Sequence, residues 1–390
     1  MKKTIVLASL GLFVPCAFAQ SSVTLYGILD EGLQYLNNVN APGGGGKKIT
    51  LDSINGRSGS RWGFIGSEDL GGQLRAIFTL EGGININNGQ MGQGGLLFGR
   101  QAFVGLASEK FGTLTMGRQY DPVYWDLEPF TMAYSGSTPF LHPGDNDNTG
   151  GSLRYNNSIR YQTLNYGGFK FDALYSLGGV PGNVTANSGY SVAATYTGGA
   201  FSFGGAYAYF KNPTGTPGQG LFTNTAAGAT LLSGTFNSGY TSATAYQTAG
   251  VGAGYTIGNL SLNTSYTNVQ YANLGQGFQS GAMARFNNFD FTVKYMWTPA
   301  FSTIGAYVYT KGEGVARANG QTVGNQHYNQ VSLLADYLLS KRTDVYLEGA
   351  FQRASGTSST GAPAVANIAN LGDSSNNQQW VLRASYRHRF

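Results

Sequence analysis

One cysteine, three histidines, eleven prolines and only 11% charged residues set the limits on what this 390-residue chain can be. The cysteine, Cys16, lies in an N-terminal segment patterned for export: Lys2 and Lys3, an apolar run over residues 5–14, then the small-residue cleavage site Ala17-Phe18-Ala19. Residues 1–19 are therefore expected to be a signal peptide, and residues 20–390 a mature chain without disulfide or thiol chemistry. Pro15 before Cys16 and the better cut at Ala19 argue against a lipoprotein signal. The apolar run is too short to anchor the chain, since a bilayer span needs about 20 residues. No later stretch is continuously apolar over about 18 residues, so transmembrane helices are excluded. Without Lys2 and Lys3 the balance is 22 basic to 19 acidic residues, too mild an excess for a nucleic-acid binder.

The same poverty weakens an enzymatic reading. His142, His327 and His388 are far apart in the chain, and neither H-E-x-x-H nor G-x-S-x-G occurs. The pairs Asp121 with Asp126, and Asp145 with Asp147, share one loop instead of facing strands. The glycines of 43–46 and of Gly250-Val251-Gly252-Ala253-Gly254 lack the Lys-Ser/Thr of a phosphate cradle, and loop or strand context accounts for them. No catalytic residue, metal or cofactor is expected.

What the chain has in abundance is glycine (59), tyrosine (25) and phenylalanine (23), arranged in about sixteen short segments that alternate apolar with polar residues. Clear examples are Val23-Leu25-Gly27-Leu29, Leu74-Ala76-Phe78-Leu80, Phe289-Phe291-Val293-Tyr295-Trp297, Val331-Leu333-Ala335-Tyr337 and Val345-Leu347-Gly349-Phe351. Arg75, Glu81, Asp290, Lys294, Asp336, Asp344 and Glu348 fall on the partner faces. The final segment sets Trp380, Leu382, Ala384, Tyr386 and Phe390 on one face, and Arg383, Ser385, Arg387 and Arg389 on the other. A Lys or Arg facing lipid near the bilayer midplane costs about 2–4 kcal/mol, so the charged face must look into water. Seven tight turns, such as Asp69-Leu70-Gly71-Gly72 and Thr298-Pro299-Ala300, alternate with eight longer polar segments near 37–57, 85–97, 120–152, 178–189, 211–241, 272–281, 312–326 and 354–377. The pattern predicts an all-β fold, a 16-stranded antiparallel transmembrane β-barrel with short periplasmic turns and long extracellular loops, wide enough for an aqueous channel.

Ser22-Val23-Thr24-Leu25-Tyr26-Gly27, Ser60-Arg61-Trp62-Gly63-Phe64-Ile65-Gly66-Ser67-Glu68-Asp69-Leu70-Gly71-Gly72, Gly99-Arg100-Gln101-Ala102-Phe103-Val104-Gly105-Leu106, Met116-Gly117-Arg118-Gln119-Tyr120, Asn156-Asn157-Ser158-Ile159-Arg160-Tyr161 and Arg387-His388-Arg389-Phe390 carry a more specific likeness. Through the whole mature chain the sequence resembles the Gram-negative general diffusion porins of β-proteobacteria, the Burkholderia and Neisseria type. The resemblance implies a homotrimer of barrels in outer-membrane lipid, each with its own pore for ions and small hydrophilic solutes and a third loop folded inward. It also implies recognition of Phe390 by the barrel-assembly machinery. Arg61, Arg100 and Arg154 match the family's basic ladder on the barrel wall, with Arg118 and Arg160 adding positive potential nearby. Where relatives commonly carry Lys or Arg, this chain has Ile65, which implies one wall charge fewer.

The residues agree with that reading on their own terms. The segment after Arg118 carries Asp121, Asp126, Glu128, Asp145 and Asp147 among Trp125, Pro129 and Phe130, a composition suited to a constriction. A basic wall facing an acidic loop sets up a transverse field and a modest preference for anions. Two other readings remain open: a substrate-specific channel using Tyr120, Tyr124 and Trp125, and a surface adhesin using the external loops. Gly27, Trp62, Gly66 and Phe103 are expected on the outward face, available for packing between barrels.

Overall fold

A computed structural model describes residues 21–211, 232, 234–275 and 277–390; the expected signal peptide lies outside the described residues. Sixteen strands form one closed sheet: β1 Ser22–Ala41, β2 Arg61–Gly71, β3 Leu74–Asn85, β4 Gln101–Ser108, β5 Gly112–Gln119, β6 Tyr155–Gln162, β7 Phe169–Ser176, β8 Gly189–Gly198, β9 Phe201–Lys211, β10 Ala245–Ile257, β11 Leu260–Ala272, β12 Ala284–Met296, β13 Phe301–Glu313, β14 His327–Leu338, β15 Thr343–Ser355 and β16 Gln378–Arg389. Each strand pairs antiparallel with its sequence neighbours. Closure comes from β1, whose residues 28–36 pair with residues 389–381 of β16 while residues 22–28 pair with β2. Beyond the end of β16, Gly27 and Phe390 exchange backbone hydrogen bonds at 3.1 Å, and a Cβ on Gly27 would lie 2.4 Å from the Phe390 ring.

The faces follow from charge. In β15, Leu347 keeps 63% of its surface while Asp344 and Glu348 retain 0% and 5%. The charged side chains therefore look inward, and the apolar face is the one free to meet hydrocarbon. Arg383 and Arg387 of β16 are likewise buried inside, opposite exposed Trp380, Leu382 and Tyr386. One expectation is overturned. Phe103 pairs with Thr79 in a register that sets Gln101 opposite Glu81, so alternation turns it to the lumen and leaves Val104 and Leu106 outside.

A cylinder of this width is filled in part by its own loops. Loop 3, residues 120–154, crosses the interior in short helical turns that pack on β8, β9 and β10. Its seat is made of glycine. Gly204, Gly250 and Gly252 face inward, and a Cβ on them would stand 2.3–2.4 Å from Phe130 or Leu127. The glycine-rich stretch of β10 is thus a docking groove for a loop, with Val251 outside. Farther on, Met132 and Phe140 pack with Ile304, Val308, Leu334 and Tyr346 of the opposite wall. Loop 8, residues 356–377, also folds inward and buries Ile368 with Leu36, Ala350 and Val381.

Gly252→Val should therefore unseat loop 3 without disturbing the barrel, because its outward neighbours are untouched. Proteolysis within residues 120–154 should become faster while the protein keeps its β-sheet circular dichroism; unchanged cleavage would refute the seat.

Candidate functional site

Loop 3 is stapled to the wall by buried polar groups. His142 is almost fully enclosed, with Nδ1 2.6 Å from Asp147 Oδ2 and Nε2 3.1 Å from Asp290 Oδ2 on β12. Thr267 Oγ1 donates to the same Asp147 oxygen at 2.6 Å, Tyr246 Oη donates to the Asn146 carbonyl at 2.8 Å, and Gln330 Nε2 donates to the Pro139 carbonyl at 2.9 Å. The Ser137 hydroxyl is bonded to Glu348. Burial alone would lower the His142 pKa, but Asp147 and Asp290 prevail and push it up to about 10.

Between loop 3, the inward parts of the first, second and eighth loops, and the inner faces of β2, β3 and β16 lies a cavity of about 960 Å³. Arg57, Arg61, Arg100, Arg154 and Arg387 line it, against the carboxylates Glu128 and Asp373. Two of these arginines share one acid. Arg100 Nε is 2.7 Å from Glu81 Oε1, Arg61 Nε is 3.7 Å from Glu81 Oε2, and Tyr26 Oη donates to Glu81 at 2.9 Å. Arg154 is held differently: its Nη2 donates to Tyr120 Oη at 2.8 Å, its guanidinium lies 4.8 Å from the Tyr120 ring centre, and no described carboxylate is within ion-pair distance. Tyr120 stacks on Tyr124 at 4.3 Å, so the arginines rest on an aromatic shelf supplied by the start of loop 3.

The acidic residues of loop 3 divide. Glu128, half-buried, lines the cavity within the field of Arg61 and Arg100; burial and the charge of Asp145 push its carboxyl up to about 8. Asp121 and Asp126 are not among the cavity-lining residues. Asp121 is fully buried, accepts from Asn148 Nδ2 at 3.2 Å and from the Tyr124 N–H at 3.4 Å, and burial pushes it up to about 6. Asp126 turns to the wall beside Asp172, whose partner is Arg160; burial and the charge of Asp172 push Asp126 up to about 8. Its sequence position could not disclose this, because one helical turn separates the side of the loop that faces water from the side that faces the wall.

Arg118 also leaves the cavity. Thr115 and Gln119 bond to each other at 2.7 Å on the inner face, so alternation sets Arg118 on the other, where it donates to the Gly99 carbonyl at 2.9 Å and to Asn156 Oδ1 at 2.6 Å. Ile65 shares the inner face with Arg61 and adds no charge there. Three charged cavity residues were not anticipated as site residues. Arg387 was recognisable from strand parity alone, whereas Arg57 and Asp373 sit in segments that read as external loops.

Comparison with known proteins agrees with this geometry. A family model described as Gram-negative porin matches residues 6–357. An outer membrane porin of Bordetella pertussis is 40% identical over 190 residues, covering 45% of this chain and 48% of that protein. Outer membrane porin protein 32 of Delftia acidovorans is 37% identical over 177 residues, covering 43% and 48%. The chain thus aligns with about half the length of these curated relatives. Among solved structures, an anion-selective porin from Comamonas acidovorans superposes with a TM-score of 0.69 at 22% identity, covering 95% of this chain and 100% of that one. A trimer form of the outer membrane protein OmpT of Vibrio cholerae gives 0.62 at 16%, covering 95% and 99%.

The staple yields a test. His142→Ala would leave Asp147 and Asp290 facing each other in a dry site, a change that costs about 3–5 kcal/mol when a buried ion pair loses one partner. Because the folded pKa is raised, the histidine's contribution is complete below its ordinary value of 6.5 and is lost as pH rises through about 10. Urea midpoints of the wild type should therefore fall between pH 9 and 11, and those of the His142→Ala variant should change less over the same interval.

Proposed function

Because the chain belongs to the Gram-negative porin family, we propose that it forms a water-filled channel for passive diffusion of ions and small hydrophilic solutes across the outer membrane, with a preference for anions. The observation that carries this reading is the cavity lining, five arginines against two carboxylates. Arg57 and Arg387 are paired with wall aspartates, and Glu81 is taken up mainly by Arg100, so an excess of positive charge is left at Arg61 and Arg154. In a narrow gap with low-dielectric walls that excess draws anions and repels cations. The aromatic shelf supports a generalist pore over a sugar track, since Tyr120 is occupied in holding Arg100 and Arg154 and Tyr124 is stacked on Tyr120.

Three further parts complete the reading, the first and last resting on kinship and the second on the residue pattern of the N-terminus. The chain acts as a homotrimer with one pore per barrel, residues 1–19 direct export and are removed, and Phe390 serves the barrel-assembly machinery as an insertion signal. Of the acidic loop residues, Glu128 is the one we assign to the constriction, opposite Arg61, Arg100 and Arg154.

Planar-bilayer recording in a salt gradient tests the assignment. The wild type should show large conductance steps and an anion-favouring reversal potential. Joint replacement of Arg61, Arg100 and Arg154 by Ala should lower the anion-to-cation permeability ratio at least about fivefold, the effect of roughly one unit charge at contact distance in water. An unchanged ratio in a folded barrel would remove these residues from the constriction.

The Glu128 carboxyl adds a pH dependence. Below about pH 8 it is mostly protonated and the cavity keeps its full positive excess; above that it ionises and anion preference falls. Reversal potentials at pH 6 and pH 9 should differ in that direction for the wild type, and Glu128→Gln should hold the pH 6 value at both.

A further inference from the structure

The second half of loop 1, residues 53–60, turns into the barrel. Asp52 Oδ1 accepts the N–H groups of Ile54 at 3.1 Å and Asn55 at 2.7 Å, which starts a tight turn. The Ser58 N–H donates to Asp30 Oδ2 at 2.9 Å, the Arg57 N–H donates to Tyr346 Oη at 3.0 Å, and the Gly56 carbonyl accepts both the N–H and the hydroxyl of Thr138 at 3.3 Å. Gly56 is required by space: a Cβ there would lie 2.3 Å from Tyr346 Oη and 2.6 Å from Asp30 Oδ1. The turn is wedged between the wall and loop 3, and from that wedge Arg57 reaches the cavity.

Arg57 Nη1 is 2.5 Å from Asp336 Oδ2, while its Nε is buried without a partner among the described residues. Arg387 lines the same cavity, donates from Nη1 to Ser58 Oγ at 2.9 Å and pairs with Asp344 at 2.9 Å. Arg389 shares Asp344 at 3.3 Å, and Lys294, on the lumen face of β12, lies in the field of Arg57 and Asp336. With the adjoining Asp30 and Glu348, which lie in the fields of Arg387 and Arg57 and pair with Arg383, five cations stand over four carboxylates. Asp336 and Arg387 are each two residues from the turn-side ends of β14 and β16, whereas Arg100 and Arg154 precede the loop-side starts of β4 and β6. The two basic groups lie at different depths of one passage.

We propose that the inward turn 53–60 is a second selectivity element, in which Arg57, backed by Arg387, forms an anion station between the loop 3 constriction and the turn-side mouth. It takes small inorganic anions, which meet one guanidinium group after another. The proposal rests on the diffusion-pore reading above, and its test separates the two.

Reversal potentials are measured in a potassium chloride gradient for the wild type, Arg57→Glu and Asp336→Asn, each first confirmed as a folded barrel by circular dichroism. Arg57→Glu should lower the chloride-to-potassium permeability ratio about fivefold or more, and Asp336→Asn, which leaves the turn intact, should raise it. These opposite shifts are expected whatever the absolute preference of the wild type. If both variants keep the wild-type ratio while the Arg61/Arg100/Arg154 variant moves it, the second station is overturned and the diffusion pore stands. If the wild type does not conduct, both fall. If Arg57→Glu does not fold, Asp336→Asn decides: a higher ratio supports the station, and no rise overturns it.

Discussion

Everything in this molecule depends on a ladder without an open edge. Inside hydrocarbon an unpaired backbone N–H or C=O costs several kcal/mol, so a membrane-spanning sheet must close on itself. Closure here is made by the long β1, which offers residues 28–36 of one edge to β16 and divides the other edge between β2 and residues 44–52 of loop 1. Once the ring is closed, alternation decides the rest. Every strand has one face in lipid and one in the lumen, and the charges Asp30, Glu81, Asp290, Asp344, Glu348, Arg383 and Arg387 have only the lumen to occupy.

A lumen forced to be polar and wide then needs contents. Sixteen strands enclose more space than wall side chains can fill, and the structure meets this with loops 1, 3 and 8. Loop 3 is seated by absence on one side, where Gly204, Gly250 and Gly252 leave room for Leu127 and Phe130, and by charge on another, where His142 bridges Asp147 and Asp290. The consequence is asymmetry. Aromatic and apolar packing on β8–β14 fills one side of the interior, and the open cavity is displaced toward β2, β3, β16 and the arginines.

Strand-level features were legible because period 2 is written directly in the residues: the alternation of Val345, Leu347 and Gly349 with Asp344 and Glu348 identifies both the strand and its inner face. The same rule, applied strictly, also turns Arg118 outward and Phe103 inward, against the wall and interface positions expected for them. Loop residues are another matter. Asp121, Asp126 and Glu128 lie within eight positions, yet Glu128 faces the cavity while the other two face the wall, a choice made by helical turns and by contacts with Asn148 and Asp172 far along the chain. Arg57 was hidden for the same reason: the turn that brings it inward depends on Asp30, Thr138 and Tyr346, none of which is near it in sequence.

The arginine cluster raises the question of how like charges are kept together beside a narrow water gap. Arg61 and Arg100 repel each other, and one carboxylate, Glu81, cannot neutralise both. Tyr26 fixes that carboxylate from a third direction, while the face of Tyr120, itself stacked on Tyr124, offers Arg100 and Arg154 the negative side of its ring quadrupole without adding formal charge. This suits guanidinium better than ammonium. A planar group can stack on a ring and still direct its in-plane N–H bonds to Glu81 or Tyr120, whereas a lysine would be a mobile, strongly hydrated point charge. A second carboxylate in place of the tyrosines would hold the cluster more tightly but cancel its field. Aromatic support therefore fixes the geometry and preserves the positive excess on which the proposed anion preference rests.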